Sequence, residues 1–163
     1  TLVGEVFTET GPDGRPIDLG RVGKVTTVRD EHLRLLLHAR KVPLLPPLGL
    51  DGEGGWLNLN ADDAAAAVAG ALKADNAIFL TDTPGVLRDR HDPNTHLPRL
   101  TEREARGLIA SGVIDGGMIP KVEACFAALA AGAKSALILD GRVPFSLLDV
   151  FLHDTFTGTA ITR

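Results

Sequence analysis

Ala77-Ile78-Phe79-Leu80-Thr81, closed by Asp82-Thr83-Pro84-Gly85, is the stretch that decides the fold. Four apolar residues in succession leave no polar face, so a strand here is covered on both sides, as in a parallel sheet between helices. Pro84-Gly85 then turns the chain. Just upstream, residues 61–74 are rich in alanine and predict a helix, with Asn60 as its N-cap. Before that helix, residues 42–50 predict a short buried strand, Asp51-Gly52-Glu53-Gly54-Gly55 a turn tip, and Trp56-Leu57-Asn58-Leu59-Asn60 a brief returning strand. Downstream, residues 88–98 form a polar loop, and Thr101-Glu102-Arg103-Glu104 has the form of a capping box. It opens a helix over 102–110 that Gly112 is placed to end. Pro120 suits the first turn of a helix over 121–131, and Ser135-Ala136-Leu137-Ile138-Leu139 is another buried strand. Residues 145–152 are apolar at helical spacing, and Gly158-Thr159-Ala160-Ile161 closes the chain. Such alternation predicts an α/β fold with a mainly parallel sheet sandwiched by helices. Residues 11–17 predict a hairpin loop, and residues 32–40, with leucines at 33, 35, 36 and 37, an amphipathic helix.

Composition narrows the class of function. With 163 residues, 44% of them hydrophobic, the chain can bury a real core, and no apolar run is long enough to span a membrane. A net charge of −4 argues against nucleic acid as the main partner, so a bound anion has to be held by local features. Cys125 is the single cysteine, which gives no internal disulfide and no metal cluster and fits a reducing cytoplasm. The five histidines lack metal-ligand spacing; His91 and His96 are expected in solvent. Trp56, Phe126 and Phe151 are expected as packing residues. The chain starts at Thr1 and its one methionine is Met118, so either an initiator is removed or a longer protein precedes it.

Three segments lie where a strand or loop hands over to a helix, the place where open α/β sheets gather ligands. In Asn58-Leu59-Asn60-Ala61-Asp62, alternation puts Asn58 and Asn60 on one side and Asp62 in the first helical turn. The same residues would serve an ordinary helix start, with an Asn cap and an Asp that complements the dipole. In Asp82-Thr83-Pro84-Gly85-Val86-Leu87, a strand end and a turn can present N–H groups and a carboxylate, or can be only a turn. The third segment is Val113-Ile114-Asp115-Gly116-Gly117-Met118-Ile119-Pro120-Lys121. Its adjacent glycines leave helix N-terminal amides open to an anion, and Lys121 is the wrong charge for that end of a helix. Its local cost suggests a role, although a solvated lysine is the alternative.

Taken with Asp18-Leu19-Gly20-Arg21-Val22-Gly23, Asp140-Gly141-Arg142-Val143-Pro144 and Gly158-Thr159, these segments resemble acetylglutamate kinase, of the amino acid kinase superfamily, without the family's N-terminal segment. The resemblance runs along nearly the whole chain. It implies ATP-dependent phosphorylation of the side-chain carboxylate of N-acetyl-L-glutamate, a step of arginine biosynthesis. It also implies Mg²⁺ carried by the nucleotide phosphates, a cytoplasmic location, self-association into a homo-oligomer, and no nucleic-acid or membrane partner. Residue by residue, it puts Asn58 and Asn60 at the acetylated amino acid, Asp62 as the group that orients catalytic lysines, and Lys121 on the transferring phosphoryl group. Asp82, Thr83, Pro84, Gly85, Val86, Leu87, Val113, Ile114, Asp115, Gly117 and Met118 border the nucleotide. Residues 1–75 are then the remainder of an N-terminal, acyl-substrate lobe, and residues 76–163 the nucleotide-binding lobe.

The family's first strand, its glycine-rich phosphate turns with their lysine, and its substrate-holding arginine have no counterpart in this sequence. Arginine-inhibited members carry a His, a Glu and a Gly where this chain has Leu137, Val150 and Phe156. Two alternatives accompany the leading expectation: a kinase of carrier-bound aminoadipate, and a non-catalytic nucleotide-binding remnant.

Overall fold

The computed structural model describes residues 1–152 and 157–163. Strand β1 (Leu2–Val6), the two-residue strands β2 (Glu9–Thr10) and β3 (Pro16–Ile17), and β4 (Val22–Val28) open the chain, followed by helix α1 (Glu31–His38). Strands β5 (Leu48–Leu50) and β6 (Trp56–Leu59) lead into α2 (Ala61–Leu72) and β7 (Asn76–Thr81). Then come β8 (Arg99–Thr101), α3 (Glu102–Ala110), α4 (Met118–Ala131), β9 (Ser135–Asp140), α5 (Ser146–Leu152) and β10 (Gly158–Thr162).

Two sheets carry the structure. β1, β4, β6 and β5 close into a small ring, and β7, β9, β10 and β8 form a second sheet in that order. The ring can be narrow because glycines stand where it is tightest. A Cβ at Gly23 would lie 2.8 Å from the Leu57 side chain, and one at Gly49 would lie 2.9 Å from Leu59. Leu57 and Leu59 fill that space and are buried with Leu2 and Ala64. β2 and β3 pair as a hairpin, with its loop at residues 11–15 rather than 11–17, since Pro16 and Ile17 form the second strand.

The second sheet is covered on both faces, as the apolar runs require. Along β9, Ala136 and Ile138 point into the core shared with α4, while Leu137 and Leu139 face the cluster that Val150 of α5 packs against. The α/β class and the helix-covered sheet hold. Strand pairing is more mixed than the apolar runs predict: β7 runs parallel to β9 and β8 parallel to β10, but β10 returns antiparallel beside β9. A continuous apolar strand reports burial on two faces, and that demand is the same for either strand direction.

α2 joins the two halves, packing on β4 and β7 and, most extensively, along α4. Gly70 lets the helices approach, since a Cβ there would overlap the Ala131 methyl. Asn60 caps α2, its Oδ1 accepting from the N–H groups of Asp62 and Asp63 at 2.9 and 3.1 Å. Thr101 and Glu104 form the complete capping box of α3, and Gly112, at φ +74°, follows its end.

Some local expectations fail. Only Leu48–Leu50 of the segment 42–50 is strand, and Val42 and Leu44 are 95% and 96% exposed. The prolines at 43, 46 and 47 have no N–H to donate to a ladder, so apolar character alone does not extend the strand. Trp56 and Phe151 lie mostly on the surface, at 66% and 63% exposed, whereas Phe126 is core. His96 is half-buried rather than solvated, and its Nε2 is enclosed without a hydrogen-bond partner. Among the described residues no helix is long and apolar enough to cross a membrane.

Candidate functional site

β7 ends in the sequence that lines a cleft of about 760 Å³ at the C-terminal ends of β7 and β9. The chain leaves β7 at Thr81 and turns through Asp82-Thr83-Pro84-Gly85, with Gly85 at φ +112°. Glycine is required at that turn on two counts, since the backbone is in a region that L side chains rarely adopt and a Cβ would meet Thr159. The opposite wall comes from residues 113–118, where α3 hands over to α4. All eleven residues assigned to the nucleotide from the sequence line this one cleft, and so does Lys121.

The start of α4 differs from the expected open fan of amides. The helix begins at Met118, whose N–H bonds the Asp115 carbonyl at 3.2 Å, and the Ile119 N–H bonds Gly116 at 3.3 Å. Pro120 has no N–H, and Gly117 at the cap contributes no side chain. Positive potential at this end therefore comes from the helix dipole and from Lys121 more than from unoccupied donors.

Lys121 is stabilised by an ion pair across the helix contact. Its Nζ lies 3.1 Å from Oδ2 and 3.5 Å from Oδ1 of Asp62, with both side chains about three-quarters buried (24% and 23% exposed). Asp62 sits in the first turn of α2 and Lys121 in the first turns of α4. The carboxylate is favoured by its own helix end, and it offsets the unfavourable position of the lysine. Local cost alone would thus explain the pair without any ligand; that Lys121 also lines the cleft is the second observation. Asp62, Asn58 and Asn60 do not line the cleft: Asn58 lies exposed on β6, and the Asn60 carbonyl oxygen is engaged in the cap.

Four lining residues escaped the sequence analysis: Thr81, Arg90, Pro93 and Arg142. Arg142 forks onto the buried carboxylate of Asp140, with Nε 2.9 Å from Oδ1 and Nη2 2.8 Å from Oδ2. That hydrogen-bonded guanidinium, more than any other group, holds the Asp140 carboxyl below its ordinary range. The signal was present in Asp140-Gly141-Arg142, a strand end followed by a turn. Arg90 reaches Asp115 across the cleft at 3.4 Å. Within the polar loop 88–98, Asp92-Pro93-Asn94-Thr95 is a turn signature, and it forms a single 3₁₀ turn capped by Asp92. Cys125 is buried behind Lys121, and burial pushes its thiol up to about 12, so it remains neutral and is no nucleophile. Among the described residues no group of three His, Cys, Asp or Glu side chains could hold a metal ion.

The chain that carries this cleft, walled by a Pro-Gly turn and a lysine-bearing helix start, has relatives among known proteins. The sequence profile of the amino acid kinase family matches residues 1–140, and the chain belongs to that family. It is similar to acetylglutamate kinase of Methanococcus aeolicus, with 44% identity over 90% of this chain and 50% of the relative. Identity to the acetylglutamate kinase of Methanobrevibacter smithii is 42%, over 99% of this chain and 55% of that protein. The chain spans about half the length of the curated relatives it matches. Among solved structures, N-acetylglutamate synthase from Neisseria gonorrhoeae superposes with TM-score 0.84 at 28% identity, covering 99% of this chain and 36% of that one. Carbamate kinase from Giardia lamblia, at 19% identity and TM-score 0.65 over 96% of this chain and 51% of that one, shares the fold.

Proposed function

We propose that this chain is the nucleotide-side portion of an acetylglutamate kinase, which transfers the γ-phosphoryl group of ATP to the side-chain carboxylate of N-acetyl-L-glutamate. The observation that carries it is Lys121, held by Asp62 on the wall of a largely apolar cleft, in a chain 44% identical to such a kinase. Pro84, Val86, Leu87, Val113 and Met118 offer apolar surface for a base, and the start of α4 with Lys121 offers positive potential for phosphates. Magnesium would arrive on those phosphates and neutralise part of their charge.

The acceptor carboxylate titrates at about 4.3 and is ionised at pH 7, so no general base is needed. One carboxylate oxygen bonds to phosphorus as the bridging P–O bond breaks, and ADP leaves with that electron pair. What this chain supplies is position and charge. Lys121 faces the oxygens on which negative charge spreads, and Asp62 fixes where its ammonium points. Asn58 and Asn60, at the end of the neighbouring β6, stand on the acyl-substrate side, and the division near residue 75 separates that side from the nucleotide lobe. A cytoplasmic location accompanies this reading. Self-association does too, supported by the apolar side chains of Leu35, Leu37, Val42 and Leu44 left on the surface of the barrel half.

Calorimetry tests the assignment. The chain should bind ADP with Mg²⁺ more readily than N-acetylglutamate, because the nucleotide cleft is walled on both sides. Tight acetylglutamate binding with no heat from the nucleotide would overturn it.

A further inference from the structure

Gly158-Thr159 stands out in the sequence, yet neither residue lines the cleft, and the reaction assigns them no task. Thr159 is polar and fully buried, on β10 opposite Ile138 of β9. Its hydroxyl uses both of its hydrogen-bonding capacities. The Val86 N–H donates to Thr159 Oγ1 at 2.8 Å, and the Thr159 hydroxyl donates to the Leu97 carbonyl at 2.7 Å. The Leu97 N–H donates back to the Val86 carbonyl at 2.9 Å, which closes a ring of three bonds among three separate segments. Val86 and Gly85 are the buried floor of the cleft, and a Cβ on Gly85 would stand 2.7 Å from Thr159 Oγ1 and 3.0 Å from His96 Nε2.

We infer that the Thr159 hydroxyl is a positioning group: it latches the floor of the cleft to β10 and sets the shape that accepts the nucleotide. The floor pairs with residues 95–97 through the Leu97 N–H to Val86 carbonyl and Arg88 N–H to Thr95 carbonyl bonds, each 2.9 Å, but the Val86 N–H itself is taken by the Thr159 hydroxyl. Without the hydroxyl, a buried N–H at Val86 and a carbonyl at Leu97 each lose a partner that water cannot replace in place. Relaxation of the turn toward solvent satisfies them and leaves the binding-competent shape only partly populated. Apparent affinity falls by that fraction. The inference rests on the nucleotide assignment above for its ligand, but the latch itself can be read without one.

Thr159→Val keeps the shape and removes the hydroxyl; Thr159→Ser keeps the hydroxyl. In the intact protein, Thr159→Val should weaken binding of ADP with Mg²⁺ roughly tenfold, the equivalent of one buried amide left unpaired. Thr159→Ser should stay within about threefold of wild type. N-acetylglutamate binding should be unchanged in both, which a general loss of stability would not produce. Equal nucleotide affinity in wild type and a folded Thr159→Val protein overturns the latch. Should Thr159→Val not fold, amide exchange in the wild type decides: the Val86 N–H should be protected like the amides of β9, and rapid exchange there overturns the inference. A wild type that binds no nucleotide counts against the assignment, while Val86 protection still judges the latch.

Discussion

Lys121 and Asp62 form a pair whose structural and catalytic roles make different demands. As a structural bridge, partly exposed at 3.1 Å, it contributes on the order of 1 kcal/mol or less. As a charge aimed at the transferring phosphoryl group, it serves the transition state more than the ground state. Lys121→Ala in the intact protein should therefore lower kcat by about 10²–10³ with little change in nucleotide KM, and a variant with near-normal kcat would return Lys121 to a purely structural part. Asp140 makes a second prediction at this scale. Its carboxyl is held low chiefly by the Arg142 guanidinium, so the contribution is present above its unfolded pKa of about 4 and disappears as pH falls through the lowered folded value. Arg142→Ala should lower the urea midpoint at pH 7, and the gap to wild type should close as the pH falls below about 4. A gap that is constant across that range would mean that Arg142 acts through packing.

Among the elements, the contact of α2 with α4 holds the barrel half against the second sheet and brings Asp62 to Lys121. Both helices are alanine-rich at this seam, so their backbones approach closely, with Gly70 facing Ala131. Gly70→Ala makes two effects compete. Helix propensity favours the alanine by about 1 kcal/mol. Overpacking against a backbone that must shift costs about 1–3 kcal/mol. The second should win, and Gly70→Ala should unfold at lower temperature than wild type. Adding Ala131→Gly should recover part of the loss, and a stabilised single variant would show that the helices are free to slide apart.

For the whole molecule, regulation by arginine is the property that the packing speaks to. A bound arginine needs a carboxylate or carbonyls in a fixed fork for its guanidinium. Leu137 and Val150 instead share one apolar cluster between β9 and α5, and Leu137 is buried within it. Phe156, the third position expected to disfavour arginine, lies outside the described residues. Activity of the intact protein should therefore be unchanged in millimolar arginine, beside an arginine-sensitive kinase as control. Sigmoidal inhibition of both would place a carboxylate, rather than Val150, at the effector position.

What the sequence determined by itself is local or periodic. The Asn60 cap, the capping box at Thr101 and Glu104, the buried strands β7 and β9 and the helices between them depend on neighbours within a few residues, and their signals survive in a bare string. The motifs also carried the cleft, because the segments flanking β7 and α4 are continuous stretches of chain. Tertiary structure alone decided which distant groups meet. The pairing of Asp62 with Lys121 spans 59 residues, and the bond from Val86 to Thr159 spans 73. It also decided that β10 runs antiparallel to β9, that Trp56 and Phe151 face outward, and that Arg90 and Arg142 reach the cleft. Hydrophobicity records how much free energy is gained when a residue leaves water, but it carries no direction. Which face or partner receives that residue is fixed only when the elements pack.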